Sequence, residues 1–247
     1  MPGNKFDVQI DRTIKLLGKS QVQILLGVSI PESARMVAFE SDNKLTNKGS
    51  NAWTKETGML SIWLLNMLKH SPETTIVIPI KAGPENELGP KVNDTYFGKV
   101  PADRLVVKDD VLFFSGDGQY RSKIGVGPKR AKPLIGSYDA GEKVLTLVHY
   151  TLNPYAIDYV NSTLEIQENP FGGAVVNAYN DGPPVPGKEP LGPFYELETS
   201  SPAAALQPGQ DIQHCQCSIH LNGSVEELDK IAQKTLGVTL KEITSAL

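Results

Sequence analysis

The chain has 247 residues, of which 40% are hydrophobic and 21% charged, with a formal net charge of −4. That is enough chain for one large or two small globular domains with a sizeable core. The acidic balance and the absence of a basic cluster argue against a nucleic-acid partner, and no apolar run reaches the ~20 residues of a membrane span.

The opening "MPGNKFDVQIDRTIK" has no apolar h-region and no cleavage pattern. It runs almost directly into strand alternation, as a chain cut at its N-terminus would. Either the sandwich is trimmed or N-terminal strands precede this chain, and the compartment is expected to be periplasmic if an export segment precedes it and cytoplasmic otherwise. "KFDVQI" sets Phe6, Val8 and Ile10 on one face. "VQILLGVSI", "ARMVAFE", "TTIVIPIK", "DRLVVKDDVLFF", "KVLTLVHYTL", "STLEIQ" and "GAVVNAY" follow in the same style, punctuated by 22 glycines and 18 prolines. Many short alternating segments between turn signals predict an all-β sandwich or barrel. No fixed-period repeat is visible.

Two tryptophans lie early. Trp63, inside "MLSIWLLNML" (59–68), reads as core. Trp53, in "GSNAWTKE", is the better candidate for an exposed platform on which a sugar ring stacks. The stretches "GPENELGPKVND" (83–94) and "YNDGPPVPGKEPLGP" (179–193) read as long loops of the kind that line sites. "GQYRSKIG" puts Arg121 and Lys123 on one strand face, suited to sugar hydroxyls or to balancing carboxylates, though a solvated face explains the pair equally well. "GVGPKRAK" lacks the phosphate-loop pattern, and neither a nucleophile elbow nor an HExxH helix is present. His149 shares a strand face with Leu145 and Leu147; a lone histidine on an apolar face is usually a hydrogen-bonded core residue.

"LGPFYELETSSPAAALQPG" (191–209) places Glu196 and Glu198 two apart in a strand, so both carboxylates point to one side. "LQPGQ" reads as a turn and "DIQHCQCSIHL" as the return strand of a hairpin. In that register Cys215, Cys217, Ile219 and Leu221 face the core. His214, Gln216, Ser218 and His220 share the other side with the two glutamates. That side is either a solvated outer face or a concave site with carboxylate and imidazole groups for acid–base work. The i, i+2 cysteines are badly placed for a mutual disulfide and lack partners at zinc spacing, so they read as reduced, buried thiols with no metal. After Ser224 the pattern changes. Ser224/Glu227 and Thr239/Glu242 are capping boxes, and Leu228, Ile231, Ala232 and Leu236 recur at helical spacing. Helices are expected near 225–236 and 240–246, capping a single domain over 1–247.

The blocks "KLTNKGSNAWTKETGMLSIWLL", "SPETTIVIPIK", "TYFGKVPADRL", "GDGQYRSKIGV", "GSYDAGEKVLTL", "YVNSTLEIQENPFGG", "VVNAYNDGPP" and "LGPFYELETSSPAAALQPG" together resemble a bacterial family with a galactose-mutarotase-like (aldose 1-epimerase-like) supersandwich fold. The resemblance covers nearly the whole chain. It implies an all-β supersandwich with short C-terminal helices and a carbohydrate ligand, with no cofactor. In the wider superfamily a glutamate base sits in a "LET"-like context before a Leu-x-Pro-Gly turn. Here that context falls on Leu197, Glu198 and Thr199, then Leu206, Pro208 and Gly209. Glu198 would be the base that takes the anomeric proton, with Glu196 its neighbour or its true equivalent. The histidine acid that mutarotases carry after a "TN" turn is absent from "LTNKGSNAWTKETGMLSIWLL", and His149 would replace it only by a different geometry.

The resemblance thus implies catalytic residues Glu198, Glu196 and His149. Substrate binding falls to Arg121, Lys123, Trp53, Asn180, Asp181 and His214, with a small-molecule carbohydrate as the partner and a homodimer left open. A non-catalytic carbohydrate-binding protein on the same scaffold is the alternative.

Overall fold

A computed structural model describes residues 4–163, 165–185 and 187–247. In chain order the elements are β1 (Val8–Leu16), α1 (Lys19–Leu26), β2 (Arg35–Asn47), β3 (Trp63–Lys69), β4 (Thr74–Pro79), α2 (Glu85–Leu88), β5 (Leu105–Val107) and β6 (Val111–Ser115). They continue with β7 (Ser122–Val126), β8 (Leu134–Asp139), β9 (Val144–Tyr150), β10 (Val176–Asn180), β11 (Phe194–Ser200), β12 (Asp211–Asn222), α3 (Val225–Thr235) and α4 (Leu240–Thr244). The protein is an all-β sandwich of two antiparallel sheets. One sheet has eight strands in the order β1-β2-β12-β9-β8-β4-β6-β5. The other has four, β3-β11-β10-β7. Among the described residues no helix is long and apolar enough to cross a membrane.

Strand alternation sorts the apolar residues into two layers. Ile76, Ile78, Leu112, Phe114, Val148 and Tyr150 of the large sheet meet Ile124, Val126, Val176, Ala178, Tyr195 and Leu197 of the small one. The opposite phase of the large sheet, with Val77, Phe113, Leu145, Leu147, Ile219 and Leu221, packs under α1, α3 and α4. The central strands of the large sheet are therefore buried on both faces. The small sheet gives one face to the inter-sheet core, and its other face carries the buried polar side chains Lys123, Asn177, Glu196 and Glu198.

Both C-terminal helices begin on the capping boxes expected from the sequence, with Ser224 accepting from the Glu227 amide and Thr239 from that of Glu242. Three other expectations are corrected. "VQILLGVSI" is not a strand: Lys19–Leu26 is helical, bracketed by Gly18 and by Gly27 in the left-handed region at φ 65°. It lies on the large sheet through Val22, Leu25 and Leu26, whose spacing is helical. The segment "STLEIQ" forms no named strand among its described residues, and Leu164 within it lies outside them.

The expected 194–220 hairpin is also not formed. β11 pairs with β3 and β10, while β12 pairs with β2 and β9. The connecting segment crosses from one sheet to the other, seating Ala204 and Leu206 against Leu45, Trp53 and Met59.

Candidate functional site

The sheet crossing decides what the two glutamates meet. Because β11 belongs to the small sheet, Leu197 and Tyr195 fill the inter-sheet core, and Glu196 and Glu198 stand on the outer face. Register then builds a row on either side of them. Glu198 lies opposite Asn177 of β10 and Leu65 of β3. Glu196 lies opposite Tyr179 and Met67, and Tyr179 in turn lies opposite Lys123 of β7.

Glu198 is fully buried, and so is almost all of Lys123. The Lys123 ammonium donates to Glu198 Oε2 at 2.8 Å, and the Trp63 indole N–H donates to the same oxygen at 2.8 Å. Glu198 Oε1 is buried with no hydrogen-bond partner. Lys123 also lies over the rings of Trp63 and Tyr96, 4.8 and 5.4 Å from their centroids, which adds cation–π attraction to the ion pair.

Glu196 has no cation of its own in hydrogen-bond range among the described residues. Burial, and then the charge of Glu198, push its carboxyl up to about 7, against a smaller downward pull from Lys123. Two carboxylates on one strand face share one lysine, and Glu198 holds it.

A cavity of about 350 Å³ opens above this row, within the size range of small-molecule sites. Glu196, Lys123 and Arg121 provide its charged floor, and Trp63, Tyr96, Phe97, Tyr179 and Phe194 its aromatic walls. Arg121 stacks on Phe97 at 4.2 Å and its Nε is buried without a partner. Tyr96 accepts a hydrogen bond from Asn177 Nδ2 at 3.0 Å, and burial raises its phenol. Tyr96 can reach this position because residue 125 is glycine. A Cβ there would sit 2.5 Å from the Tyr96 hydroxyl and 2.6 Å from Asn177 Nδ2. A larger cleft, of about 530 Å³, lies beyond Tyr96, lined by Glu85, Asn93, Gly127, Lys129 and Asn169. It gathers no buried carboxylate pair.

The other candidates from the sequence are placed differently. Trp53 is 4% exposed and packs edge-on against Phe6, so it is no exposed platform. Trp63, expected in the core, is 37% exposed and lines the cavity. The signal was its strand phase with Leu65 and Met67, which are exposed as well.

His149 is not brought to the glutamates. It pairs with Cys217 across β9 and β12 and shares the phase of Leu145 and Leu147, which puts it on the helix-side face of the large sheet. Two sheets about 10 Å apart therefore separate it from Glu198.

His214 also parts from the glutamates, because its row points into the inter-sheet layer. Its Nε2 is 2.8 Å from Thr199 Oγ1, on the inner face of β11. Asn180 turns inward too, binding the Gly118 amide, Asp117 and the Tyr120 carbonyl. Asp181 is buried and supports the wall, accepting from Tyr179 Oη at 2.7 Å and from the Gly192 amide at 2.8 Å.

Cys217 is buried and Cys215 half-buried, and both are free. Together with Glu40 they bring three ligand-type atoms within 4.8 Å of one another on the helix-side face, where Lys15 already lies 3.7 Å from Glu40.

The geometry defines an all-β sandwich with a charged, aromatic-walled cavity on the outer face of its smaller sheet. The chain belongs to DUF6786, a family of unknown function whose model matches residues 1–247. No curated protein matches it.

Among solved structures it is similar to the Slr1438 protein of Synechocystis sp. PCC 6803. The identity is 10% and the TM-score 0.39, over 90% of this chain and 64% of that one. It is also similar to an Escherichia coli K12 protein described as "Putative aldose 1-epimerase". Here identity is 12% and TM-score 0.44, over 78% of this chain and 67% of that one. The chain thus spans slightly less than two thirds of the Synechocystis protein's length.

Proposed function

We propose that the protein binds a small carbohydrate in the cavity over Glu196 and interconverts its anomers. The observation that carries this reading is Glu196 itself: a cavity-lining carboxyl held near pH 7 by burial and by Glu198. A cavity carboxyl raised well above the ordinary carboxylate range by burial and a neighbouring like charge is suited to proton transfer near neutral pH.

Glu196 takes the proton of the C1 hydroxyl as the bond between C1 and the ring oxygen breaks. A cavity donor protonates that oxygen. Tyr96 is suited to this role, because Asn177 occupies its acceptor side and burial keeps its phenol protonated. Rotation about the C1–C2 bond and closure on the other face return both protons, so the reaction is redox-neutral and needs no cofactor. The aromatic walls offer stacking surfaces for the apolar faces of a sugar ring. This reading moves the base from Glu198, which the "LET" context favours, to Glu196. Glu198 lies beneath the cavity lining and is committed to Lys123 and Trp63.

The second reading is a non-catalytic carbohydrate binder on the same cavity. It is favoured by the absence of histidine from the cavity lining among the described residues. One experiment separates the two. A panel of aldoses is screened by thermal shift, and anomer interconversion of each binder is followed by polarimetry. Binding with acceleration that Glu196→Gln removes supports the enzyme. Binding without acceleration supports the second reading, and no binding by any sugar overturns both.

A further inference from the structure

We propose that β1 is a self-association edge, pairing antiparallel with β1 of a second copy of this chain about a two-fold axis at Thr13. The strand ends the eight-stranded sheet, and among the described strands only β2 pairs with it. All nine of its residues are exposed. At about 3.4 Å per residue that is an open edge about 30 Å long. Natural edges are commonly blunted by proline, bulges, shortness or charged side chains, and of these β1 carries only charge, at Asp11, Arg12 and Lys15. Here the register from Val8–Asn47 to Leu16–Phe39 is continuous, and the strand contains no proline.

One face of the edge is apolar except for Arg12 at its middle, whose Nε donates to Ser41 Oγ. The small sheet covers β9, β8, β4 and β6 but does not reach β1, so Val8, Ile10, Ile14 and Leu16 stand 38, 69, 53 and 81% exposed. Val37 of β2, on the same face, is 61% exposed and lengthens the stripe. A stripe of this kind on a sheet edge is uncommon in a monomer and fits β-augmentation.

The charges select the occupant and the register. A two-fold axis through Thr13 sets each Asp11 opposite Lys15 of the other copy, each Ile10 opposite Leu16, each Arg12 opposite Ile14, and Thr13 opposite itself. Opposite charges, apolar pairs and a Thr–Thr pair are the cross-strand combinations that stabilise antiparallel strands. Moving the axis to Arg12 would instead oppose the two arginines. Within the chain Asp11 accepts from the neutral Gln9 amide at 3.0 Å, and the nearest opposite charges of Asp11 and Lys15 are Lys44 and Glu40, each 3.7 Å away, so both groups are left only long ion pairs. The result is an isologous dimer with one continuous sheet across both copies.

The test uses the full chain in sedimentation velocity over a wide concentration range. Wild-type protein should show a concentration-dependent dimer. Asp11→Lys should weaken self-association roughly tenfold by turning two attractive pairs into repulsive ones. Adding Lys15→Asp should recover it, since the pairs are then restored with their signs reversed. Thr13→Cys should give a covalent dimer on mild oxidation, whereas Gln9→Cys, displaced from the axis, should not. Circular dichroism confirms that each variant is folded, which the exposure of these positions favours. A wild-type chain that stays monomeric at every concentration overturns the proposal. So does a dimer indifferent to Asp11→Lys, or one that Thr13→Cys fails to link.

Discussion

Lys123 and Glu198 form an ion pair across the small sheet, at 2.8 Å and with almost no solvent contact on either side. They are not direct neighbours. Lys123 lies opposite Tyr179 on β10, two strands from Glu198, and its side chain bridges the intervening strand diagonally. Removing one partner from such a pair leaves a buried, uncompensated charge.

Lys123→Met should therefore destabilise the fold by about 3–5 kcal/mol, whereas Lys123→Met with Glu198→Gln should recover much of that loss. Urea denaturation of the two variants measures both. Equal destabilisation in single and double variants would show that the lysine acts through packing on Trp63 and Tyr96 instead of through charge.

Glu196 predicts a pH dependence of opposite sign to that of an ordinary surface carboxylate. Its carboxyl is raised to about 7 in the folded protein, so between its unfolded value of 4.5 and 7 the native state binds more protons. Its contribution to stability is complete below 4.5 and is lost as pH rises through 7. Melting temperatures across this range should fall more steeply for wild type than for Glu196→Gln. If the protein is an epimerase, its rate should rise over the same interval as the base ionises.

His214 predicts loss of stability in acid. Burial lowers its imidazole to about 4, while the unfolded histidine titrates near 6.5. Between those values the unfolded state binds more protons, so this contribution is present above 6.5 and declines as pH falls towards 4. NMR titration should find the His214 ring still neutral at pH 5.5. A ring that titrates near 6.5 would place it in water, against its contact with Thr199.

Gly125 sets the position of a cavity wall. A methyl group there meets the Tyr96 hydroxyl, Asn177 Nδ2 and Ala174 Cβ, all within 2.9 Å. Gly125→Ala should displace Tyr96 and weaken sugar binding at least about tenfold, while Gly127→Ala, where nothing lies within 4 Å, should leave binding unchanged. Isothermal titration of both variants checks the contrast.

Local chemistry was enough to predict a good part of this molecule. The alternation of "TTIVIPIK" and "GAVVNAY" specifies strands, because side chains two apart must share a face. The Ser224/Glu227 and Thr239/Glu242 boxes specify helix starts, because their partners lie within one turn. The shared face of Glu196 and Glu198 also follows from strand period alone. What the period cannot determine is which sheet a strand joins. That depends on contacts between residues far apart in sequence, such as Leu206 with Leu45 and Trp53. The crossing after Ser200 sent His214 inward and the glutamates outward and buried Trp53 beneath Leu206, while the phases of β3 and β9 in their sheets put Trp63 at the cavity and His149 on the far side of the large sheet. The strand phases were local properties. The site is the set of phases that tertiary packing turned towards one cavity.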